Sequence, residues 1–480
     1  MYVLDALEFH ARMKPQDIAI IDAAGATTFR LLRDNVLGAA LRVRALGLNP
    51  DLPVGIYVED PLLHLVLMLA LMHEAIPSIS SGFPYEPAPS GVTLGACLAD
   101  RTAPFMANAG ATAVVVDNGW VAPVAPGTPI PGRRAFKSAD SLVRITSSSG
   151  TTGMAKPVGF TADMVDRRIE FLAKIGSLGE QPSMTMMGFP SATGFRHLLG
   201  QLQLGHTQVL LSHRLDVAAA IQRFKVKFIT ASPAQLQGLL AHVEQQSIRL
   251  PSLKHIRIGG SSVSPVLMVR ARMRLCPNLI GFYGATEIGV IAEAPAELLE
   301  SIPGCAGFVY PWIQVEIVDD ADRPLPAGAE GILRVRSKSN VVGYLGDHPE
   351  NRTAFKDGWF YPGDLGALRH DRLLTITGRV NEIINAGGVK VSPNLINNVL
   401  TGIGGIVDAA AFGVDYPDRA TEIWAAVVAP QPIDEKALIA TCISVLNSRA
   451  PRRILRVEQI PRNANGKILA AELRRLAEGR

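Results

Sequence analysis

Helix-like and strand-like segments alternate along the first 310 residues, and this alternation restricts the possible folds more than any other feature. The run Ile18–Ile21 is strand-like, Phe29–Leu46 is helix-like, Pro53–Val58 is strand-like and Pro61–Glu74 is helix-like. Alternation of this kind predicts a mostly parallel sheet covered by helices. The pattern continues in later segments, namely Ala113–Val116, Val209–Leu211, Phe228–Thr230, Ala234–Glu244 and His255–Ile258.

From Gln314 to about Arg379 the pattern changes to alternating strands separated by turn residues, which predicts an antiparallel sheet with hairpins. The last hundred residues contain short helices and strands that form a compact unit of their own. We place the boundary at Gly378–Asn381, which predicts an N-terminal domain over 1–380 and a C-terminal domain over 381–480. The predicted elements of the second domain are a helix after Pro393, Ala409–Val414, Trp424–Val428, Glu435–Leu446, Leu455–Ile460 and Leu469–Ala477.

The length and composition exclude several classes of protein. A chain of 480 residues is expected to hold roughly three units of ordinary domain size. Hydrophobic residues make up 48% and charged residues 19%, so wholesale disorder is excluded. The net charge of +4 is too small, over this length, to indicate a nucleic-acid partner or an acidic membrane surface.

The cysteines and the apolar runs indicate a reducing, aqueous environment. Four cysteines form no closely spaced pair, so neither a zinc ribbon nor a disulfide framework is predicted. The segment Met1–Ile21 carries charged residues and lacks the apolar core of a signal peptide. The run Leu65–Met72 is too short to span a bilayer and predicts a buried helix. We therefore expect a soluble, cytoplasmic protein without a transmembrane segment.

The segment Ile145–Lys156 is the most informative for function. It combines three serines, two glycines, two threonines after the first glycine, and a final lysine, and it follows a strand-like stretch. Backbone N–H groups, hydroxyls and a lysine charge suit a phosphate group, so the segment predicts a triphosphate-binding loop. It is not a Walker A loop, because Pro157 stands where that motif has Ser or Thr. The alternative is a Ser/Gly-rich surface loop.

Four further segments carry groups suited to a nucleotide. Phe282–Glu287 offers an aromatic face, a hydroxyl and a carboxylate that suits Mg²⁺, and Trp359–Asp364 places a carboxylate after a Pro-Gly turn. Gly378–Asn381 is a possible hinge, and Pro461–Lys467 presents one lysine before a helix. Taken singly, each has an ordinary alternative as a turn, a connecting loop or an exposed side chain.

In this order and at these distances, the segments together resemble the adenylate-forming superfamily of acyl-CoA synthetases, luciferases and peptide-synthetase adenylation domains. The resemblance runs from the Pro15 region to Lys467. It implies a large N-terminal domain of layered βα subdomains plus a small β-barrel, and a small mobile C-terminal α+β lid. It implies ATP, Mg²⁺ and coenzyme A as cofactors and co-substrates.

The same resemblance implies roles for individual residues. Lys467, Thr286 and Glu287 would be catalytic, with Thr286 at the α-phosphate and Glu287 as the Mg²⁺ ligand. Asn381 would be the hinge. The residues expected to bind ATP or AMP are Ser148, Ser149, Gly150, Thr151, Thr152, Gly153, Lys156, Gly260, Ser261, Tyr283, Gly284, Asp364 and Arg379. Those expected around the acyl group are Phe189, Ser191, Ser232, Gly259 and Gly281.

Several positions depart from the pattern of the superfamily. Asn381 replaces the usual aspartate or lysine of the hinge, which leaves the preferred pose of the lid open. Ala155 and Pro157 replace a proline and a glycine of the loop, and Pro157 removes one N–H donor. Ser191 stands where many relatives carry a histidine or an aromatic residue, so the acyl pocket is expected to have a different shape there.

The resemblance implies an ATP-dependent carboxylate:CoA ligase that forms an acyl-adenylate and then a thioester. A pocket with glycines and few charges favours an apolar fatty or aromatic acid. Arg196 or His197 could pair with a second substrate carboxylate, or both could face solvent. Two alternatives remain open: an adenylation enzyme that loads a carrier protein, and a nucleotide-binding protein that has lost turnover. The expected partners are a carboxylic acid, ATP and CoA, with a carrier protein possible and no nucleic acid.

Overall fold

A computed structural model of the chain describes residues 2–82, 85–108, 110–125, 127–130, 132–148, 156–174, 179–212, 215–416, 418, 420–462 and 468–478. The helices in this part of the chain are α1 Tyr2–Met13, α2 Phe29–Ala45, α3 Pro61–His73, α4 Pro104–Asn108, α5 Ala162–Lys174, α6 Ala192–Leu204, α7 Val217–Phe224, α8 Pro233–Gln245, α9 Pro265–Arg274, α10 Ala296–Ser301, α11 Asn351–Ala354, α12 Pro393–Thr401, α13 Glu435–Leu446 and α14 Ala470–Glu478.

The strands are β1 Ile18–Ile21, β2 Ala26–Thr28, β3 Val54–Tyr57, β4 Ser78–Ser80, β5 Ala96–Ala99, β6 Thr112–Val115, β7 Leu142–Ser148, β8 Lys156–Thr161, β9 Ser183–Thr185, β10 Gln208–Val209, β11 Phe228–Ala231, β12 His255–Gly259, β13 Asn278–Ala285, β14 Gly289–Pro295, β15 Cys305–Val309, β16 Gln314–Val318, β17 Glu330–Arg336, β18 Phe355–Lys356, β19 Trp359–Phe360, β20 Asp364–Leu368, β21 Leu373–Arg379, β22 Ile384–Ala386, β23 Val389–Val391, β24 Asp408–Val414, β25 Glu422–Val428 and β26 Arg453–Arg456.

The predicted parallel pairing is present in two sheets of the large N-terminal domain. One sheet has the order β6-β5-β3-β4-β7-β8, and its first five strands pair in parallel. In the other, β1, β10, β9, β11, β12 and β13 pair in parallel in that order. Helices α1, α2, α3, α5 and α6 share one apolar core with the first sheet and β1. Helices α7, α8 and α9 pack on strands of the larger sheet in a second core. The alternation of helices and strands therefore specified the pairing correctly.

Helix α3 is buried along almost its whole length, as its apolar sequence predicts. Pro61 occupies the first turn, and the Asp60 carboxylate caps the helix by accepting a hydrogen bond from the Leu63 amide at 2.8 Å. Every residue from Leu63 to His73 is buried. No described helix is long and apolar enough to cross a membrane.

The antiparallel strands expected between Gln314 and Arg379 are present, and they continue the larger sheet through β15. Strands β13, β14, β15, β21 and β20 are neighbours in that order. In a flat sheet β13 and β20 would lie about 19 Å apart, at roughly 4.8 Å per strand. Instead, Tyr283 of β13 and Asp364 of β20 are joined by a hydrogen bond of 2.5 Å. The sheet therefore curls back on itself, as the expected small barrel requires.

The C-terminal domain is separate and has a core of its own. Strands β24 and β25 pair antiparallel, and β26 joins β25 in parallel. Helices α12 and α13 pack on one face of this sheet and α14 on the other. The mixed α/β fold class, with a large first domain and a smaller second one, is confirmed.

One strand of the C-terminal domain begins two residues earlier and ends four residues earlier than we expected. The prediction was Leu455–Ile460, whereas β26 spans Arg453–Arg456. Its parallel partner is the stretch Trp424–Val427, and the next residue bonds to the carbonyl of Val427. The partner strand ends at Val428, so the chain leaves the sheet at this point. Strand length was decided here by the neighbouring strand and not by the local apolar run.

Candidate active site

A cleft of about 1910 Å³ runs between the two domains and contains most of the residues singled out in the sequence. Lys156, Glu287 and Asp364 line it from the large domain, and Asn394 and Arg474 line it from the C-terminal domain. Segments that are far apart in the chain therefore meet around one space, and this space is the candidate active site.

The first group of charged residues in the cleft, here named the Asp364 network, consists of Tyr283, Asp364 and Arg379. Asp364 begins β20, and Arg379 is its cross-strand partner at the end of β21. The Tyr283 hydroxyl donates to Asp364 Oδ2 at 2.5 Å, and Arg379 Nε lies 3.0 Å from Oδ1. The carboxylate is held from both sides and lines the cleft, so its orientation is fixed by the protein.

Burial and charge act in opposite directions on this network. Asp364 is 5% exposed, and burial raises its pKa above the usual aspartate value, although the nearby Arg379 cation lowers it in part. Burial, with the neighbouring Asp364 charge and hydrogen bond, raises the pKa of Tyr283 well above its ordinary value. The tyrosine therefore stays neutral and acts as a hydrogen-bond donor.

The second group, here named the Glu287 network, consists of Glu287, Tyr344, Lys156 and Glu350. The Tyr344 hydroxyl donates to Glu287 Oε1 at 2.9 Å, and Lys156 Nζ lies 5.2 Å from the centre of the Tyr344 ring. Lys156 also forms an ion pair with Glu350. The sequence indicated Lys156 and Glu287, but it did not indicate Tyr344 and Glu350, whose role depends on contacts with residues far away in the chain. The predicted phosphate ligand Lys156 is thus already paired within the protein.

Arg168 on α5 contacts the segment that carries Thr286 and Glu287, and the sequence analysis did not single it out. It is buried, and it donates to the backbone carbonyls of Thr286 at 2.9 Å, Glu287 at 2.8 Å and Ser339 at 2.7 Å. Burial, with repulsion from Arg196, lowers its pKa to about 9, so it remains charged at neutral pH. This side chain fixes the backbone that carries Thr286 and Glu287. No local sequence signal marks a helix arginine as a clamp for a distant loop.

The wall between the two networks is shaped by glycines. Gly284 lies where β13 and β14 lose their regular register, and a Cβ atom there would lie 2.1 Å from the carbonyl oxygen of Gly289. Gly259 faces Phe282 across β12 and β13, and a Cβ there would lie 2.6 Å from the Phe282 oxygen. An irregularity in the pairing of two strands changes the direction in which the neighbouring side chains point. Gly260, Ser261, Gly281 and Gly284 line the cleft, whereas Gly259 and Phe189, which were also predicted for the acyl pocket, are not among the residues that line it.

Two residues predicted for the acyl pocket are helix caps. The Ser191 hydroxyl accepts from the Gly194 amide at 2.9 Å and starts α6. Ser232 forms a capping box with Gln235 at the start of α8. Both serines line the cleft. Their hydroxyls are engaged with backbone, so they shape the wall through the helices they begin.

Phe189 is buried next to this wall and is held by a buried arginine. Arg144 donates to the Phe189 carbonyl at 2.9 Å and to the hydroxyls of Ser78 and Ser80 at 3.1 and 2.5 Å. The Phe189 ring stacks on the His64 ring at 4.4 Å between centroids. The loop before α6 is thereby fixed to strand β4.

Arg196 and His197 do not face solvent, which corrects one of the two readings of the sequence. Both are buried, at 6% and 4% exposure, because α6 is covered on nearly all sides. Burial and then the Arg257 charge lower the pKa of His197 to about 3, so it is neutral. Its Nδ1 lies 3.1 Å from the Thr230 hydroxyl. Arg196 lines the cleft and keeps its charge.

Several predicted residues lie outside the described part of the chain. They are Ser149, Gly150, Thr151, Thr152, Gly153, Ala155 and Lys467. Ser148 and Lys156, which flank the loop, are cross-strand partners on β7 and β8 and line the cleft. Asn381 is exposed in a short 3₁₀ turn, Val380–Glu382, between the last strand of the large domain and β22.

The residues present fit a magnesium ion that arrives with a nucleotide. Within the described ranges, no group of three metal-ligating side chains is found. Glu287 supplies one carboxylate in the cleft, and Tyr344 orients it. Magnesium is commonly held by one or two carboxylates together with substrate phosphates, so a single carboxylate suits this mode and not a permanent cage.

Comparison with known proteins gives matches along the whole chain. The profile described as AMP-binding enzyme matches residues 92–345, and that of the AMP-binding enzyme C-terminal domain matches residues 395–467. A similar curated protein is 3-[(3aS,4S,7aS)-7a-methyl-1,5-dioxo-octahydro-1H-inden-4-yl]propanoyl:CoA ligase of Mycobacterium tuberculosis, 29% identical with 98% of each chain covered. A feruloyl-CoA synthase of Amycolatopsis is 27% identical over 70% of each chain.

A solved structure supports the fold. The amide bond synthetase of Marinactinospora thermotolerans superposes with a TM-score of 0.81 at 23% identity, covering 99% of each chain. At this identity the likeness establishes the fold alone. The first profile, by contrast, spans more than half of the 480 residues, and the second covers most of the C-terminal domain. The chain therefore belongs to the AMP-binding enzyme family, within the adenylate-forming superfamily.

Proposed function

We propose that this protein is an AMP-forming acid–thiol ligase that activates a carboxylic acid with ATP and transfers the acyl group to coenzyme A. The observation that carries the proposal is the buried Asp364 network, built from three segments and placed in one cleft with Thr286 and Glu287. The two similar curated proteins are named as a CoA ligase and a CoA synthase, which supports this reaction class.

In this proposal the Asp364 network binds the nucleoside. An ionised carboxylate accepts two hydrogen bonds from vicinal hydroxyls, as acidic residues do in dinucleotide sites. Tyr283 and Arg379 hold Asp364 in place before the ligand arrives, so little ordering is lost on binding. The Tyr283 ring provides a flat face for adenine, next to Gly260 and Ser261.

The Glu287 network receives the phosphates. Mg²⁺ at Glu287 would offset the negative charge of the triphosphate. Lys156 exchanges Glu350 for a phosphate oxygen, and its position at the start of β8 places it beside the serine- and threonine-rich loop. Arg168 holds the backbone carbonyl of Thr286 in place, and the Thr286 hydroxyl would contact the α-phosphate. Together these groups stabilise charge that moves onto pyrophosphate.

The second half-reaction, in which the thiol of CoA attacks the acyl-adenylate, requires that different protein groups surround the acyl carbonyl. We propose that the domains divide at 380/381 and that the C-terminal domain rotates about Asn381 after pyrophosphate leaves. Asn381 is exposed in a short turn, where its backbone can change without disturbing a core. Lys467 would approach the carboxylate and α-phosphate in the first pose and withdraw in the second. We further propose a cytoplasmic location and an acid with an apolar body.

The deciding experiment is a pyrophosphate-release screen over short, medium, aromatic and dicarboxylic acids. Each acid is assayed alone, with CoA, and with a phosphopantetheinylated carrier protein, and the acyl-adenylate is trapped with hydroxylamine. We expect ATP-dependent release with at least one acid and thioester formation with free CoA. If a thioester formed only on the carrier protein, the acceptor would be the carrier protein and not CoA. Tight ATP binding without pyrophosphate release for any acid would refute the proposal.

A variant tests the role of Lys467. Lys467→Ala is expected to lower adenylation on the order of a hundredfold, because it removes a charge that acts in the transition state. Lys436→Ala, which removes an exposed lysine of the same domain, serves as the control and should leave the rate unchanged. An unchanged rate of acyl-adenylate formation in Lys467→Ala would contradict the assignment.

A further inference from the structure

Arg196 is a buried cation with almost no partner of its own. Only 6% of its surface is exposed, and its Nε donates to the carbonyl of Ala192 on the preceding helical turn at 3.1 Å. Across the described residues, neither terminal nitrogen of Arg196 donates a hydrogen bond, and no carboxylate lies within ion-pair distance. A guanidinium has five N–H donors, so four of them are available to bind an acceptor that is not part of the described chain.

The charged groups around Arg196 cannot serve as that partner. Arg257 is a second cation, and its own charge is paired with Glu293. Arg168 donates to backbone carbonyls, and the Glu287 carboxylate accepts from Tyr344. Burial and the Arg257 charge lower the pKa of Arg196 to about 10, which still leaves it positive at neutral pH. An unpaired buried charge is strongly unfavourable, so this arrangement favours an incoming anion.

The position of Arg196 identifies the part of the cleft that the anion would occupy. Arg196 lines the cleft beside Gly289, and a Cβ atom on Gly289 would lie 2.9 Å from Arg196 Nη1. Gly289 is the cross-strand partner of Ala285, on the hairpin that carries Thr286 and Glu287. Arg196 therefore reaches the cleft behind that hairpin, between α6 and the strand wall expected to enclose the acyl group.

We propose that Arg196 anchors a second carboxylate on the acid substrate, so that the enzyme activates dicarboxylic acids with an apolar body. This inference rests on the proposed ligase function and names its substrate class. One carboxylate is activated by ATP, and the other pairs with the Arg196 guanidinium in the planar geometry that suits arginine and carboxylate. The neighbouring His197 is neutral and its Nδ1 lies 3.1 Å from the Thr230 hydroxyl, so it offers no positive charge to a second carboxylate.

The test compares acids that differ in one carboxylate. Octanedioate is assayed against octanoate, and 4-(2-carboxyethyl)benzoate against 3-phenylpropanoate, by pyrophosphate release. We expect the wild-type enzyme to favour at least one diacid of the pairs on the order of tenfold to a hundredfold in kcat/KM. Arg196→Gln should abolish that preference through a higher KM for the diacid and leave the monocarboxylic acid unchanged. Arg196→Lys should restore part of the preference.

Matched measurements separate the anchor from a structural role. Arg223→Gln removes an exposed arginine of α7 and should keep the wild-type preference. A wild-type preference for both monocarboxylic acids, or an equal loss with all acids in Arg196→Gln, would overturn the anchor. A higher KM for ATP with every acid would assign Arg196 to the nucleotide and also overturn it.

Failure of the ligase function itself is recognised separately, since no acid would then release pyrophosphate in the wild-type protein. In that case the anchor is tested by calorimetric titration with octanedioate in the presence of AMP. Binding that Arg196→Gln weakens would support the anchor. Absent binding, or equal binding by both proteins, would overturn it.

Discussion

The Asp364 network and the Glu287 network lie in the same cleft, but their charged groups are partnered in different ways. In the first, Tyr283 and Arg379 orient a carboxylate without closing it off from a ligand. In the second, Glu350 neutralises Lys156, and this contact must be given up when a phosphate binds. When a nucleotide binds, the Asp364 network would therefore gain contacts with the ligand and keep its own. The Glu287 network would give up the contact between Lys156 and Glu350 in exchange for a contact with phosphate.

The difference follows from the charge of each proposed ligand group. Ribose hydroxyls are neutral, so they can bind to Asp364 while its ion pair with Arg379 stays in place. Phosphate groups are anionic, and an unpaired Lys156 in a buried position would be costly in their absence. Glu350, about one-third exposed, provides a replaceable partner. Four substitutions test this contrast.

The largest effect is expected from Asp364→Asn. The substitution replaces one acceptor oxygen with an NH2 donor and removes the negative charge that pairs with Arg379, so kcat/KM for ATP should fall on the order of a hundredfold. The control is Asp371→Asn, which breaks an exposed ion pair with Arg369 at the turn of the same hairpin. If both variants lost the same activity, the Asp364 network would not be a binding element.

Arg168→Gln tests whether the Glu287 network depends on its backbone clamp. Three backbone carbonyls lose a charged donor, so kcat should fall roughly tenfold more than the affinity for ATP, and the thermal unfolding midpoint should drop. Arg167→Gln, the exposed neighbour paired with Asp163, is the control and should change neither. If the thermal unfolding midpoint of Arg168→Gln fell while its kcat stayed unchanged, Arg168 would contribute only to the stability of the fold.

Arg379→Gln should shift a pH profile. Burial already raises the pKa of Asp364, and Arg379 opposes that rise, so removing the cation raises the pKa further. The ribose needs the ionised carboxylate, and ATP binding should therefore weaken as pH falls, starting at a higher pH than in the wild type. We expect the acid limb of kcat/KM for ATP to move upward and a loss of about fivefold at neutral pH. If the acid limbs of the wild type and Arg379→Gln coincided, the proposed effect of Arg379 on the pKa of Asp364 would be contradicted.

The smallest effect is expected from Glu350→Gln, and it has the opposite sign. The substitution removes the competitor for Lys156, so KM for ATP should decrease, by about threefold. Glu170→Gln, which breaks an exposed pair with Lys174 on α5, should leave KM unchanged. An increased KM in Glu350→Gln would show that Glu350 assists binding, and the contrast between the two networks would be lost.

The sequence predicted those parts of the fold and site that depend on local pattern. Helix α13 was predicted at its observed bounds, and α3 was predicted as buried, because long apolar or amphipathic runs and their caps are local. Asp364 was singled out because a Pro-Gly turn precedes it. Strand β26 was displaced, since the end of a strand depends on its partner.

The sequence by itself determined the alternating architecture, the two-part division and the identity of most groups that can handle a nucleotide. Only the tertiary structure decided which of these groups meet. Tyr283 and Asp364 are 81 residues apart, and Lys156 and Glu350 are 194 residues apart. The partner of a buried charge is set by how the sheet curls and the helices pack, and these are properties of the whole chain. For that reason the clamp at Arg168 and the unpaired charge at Arg196 became visible only in the folded molecule.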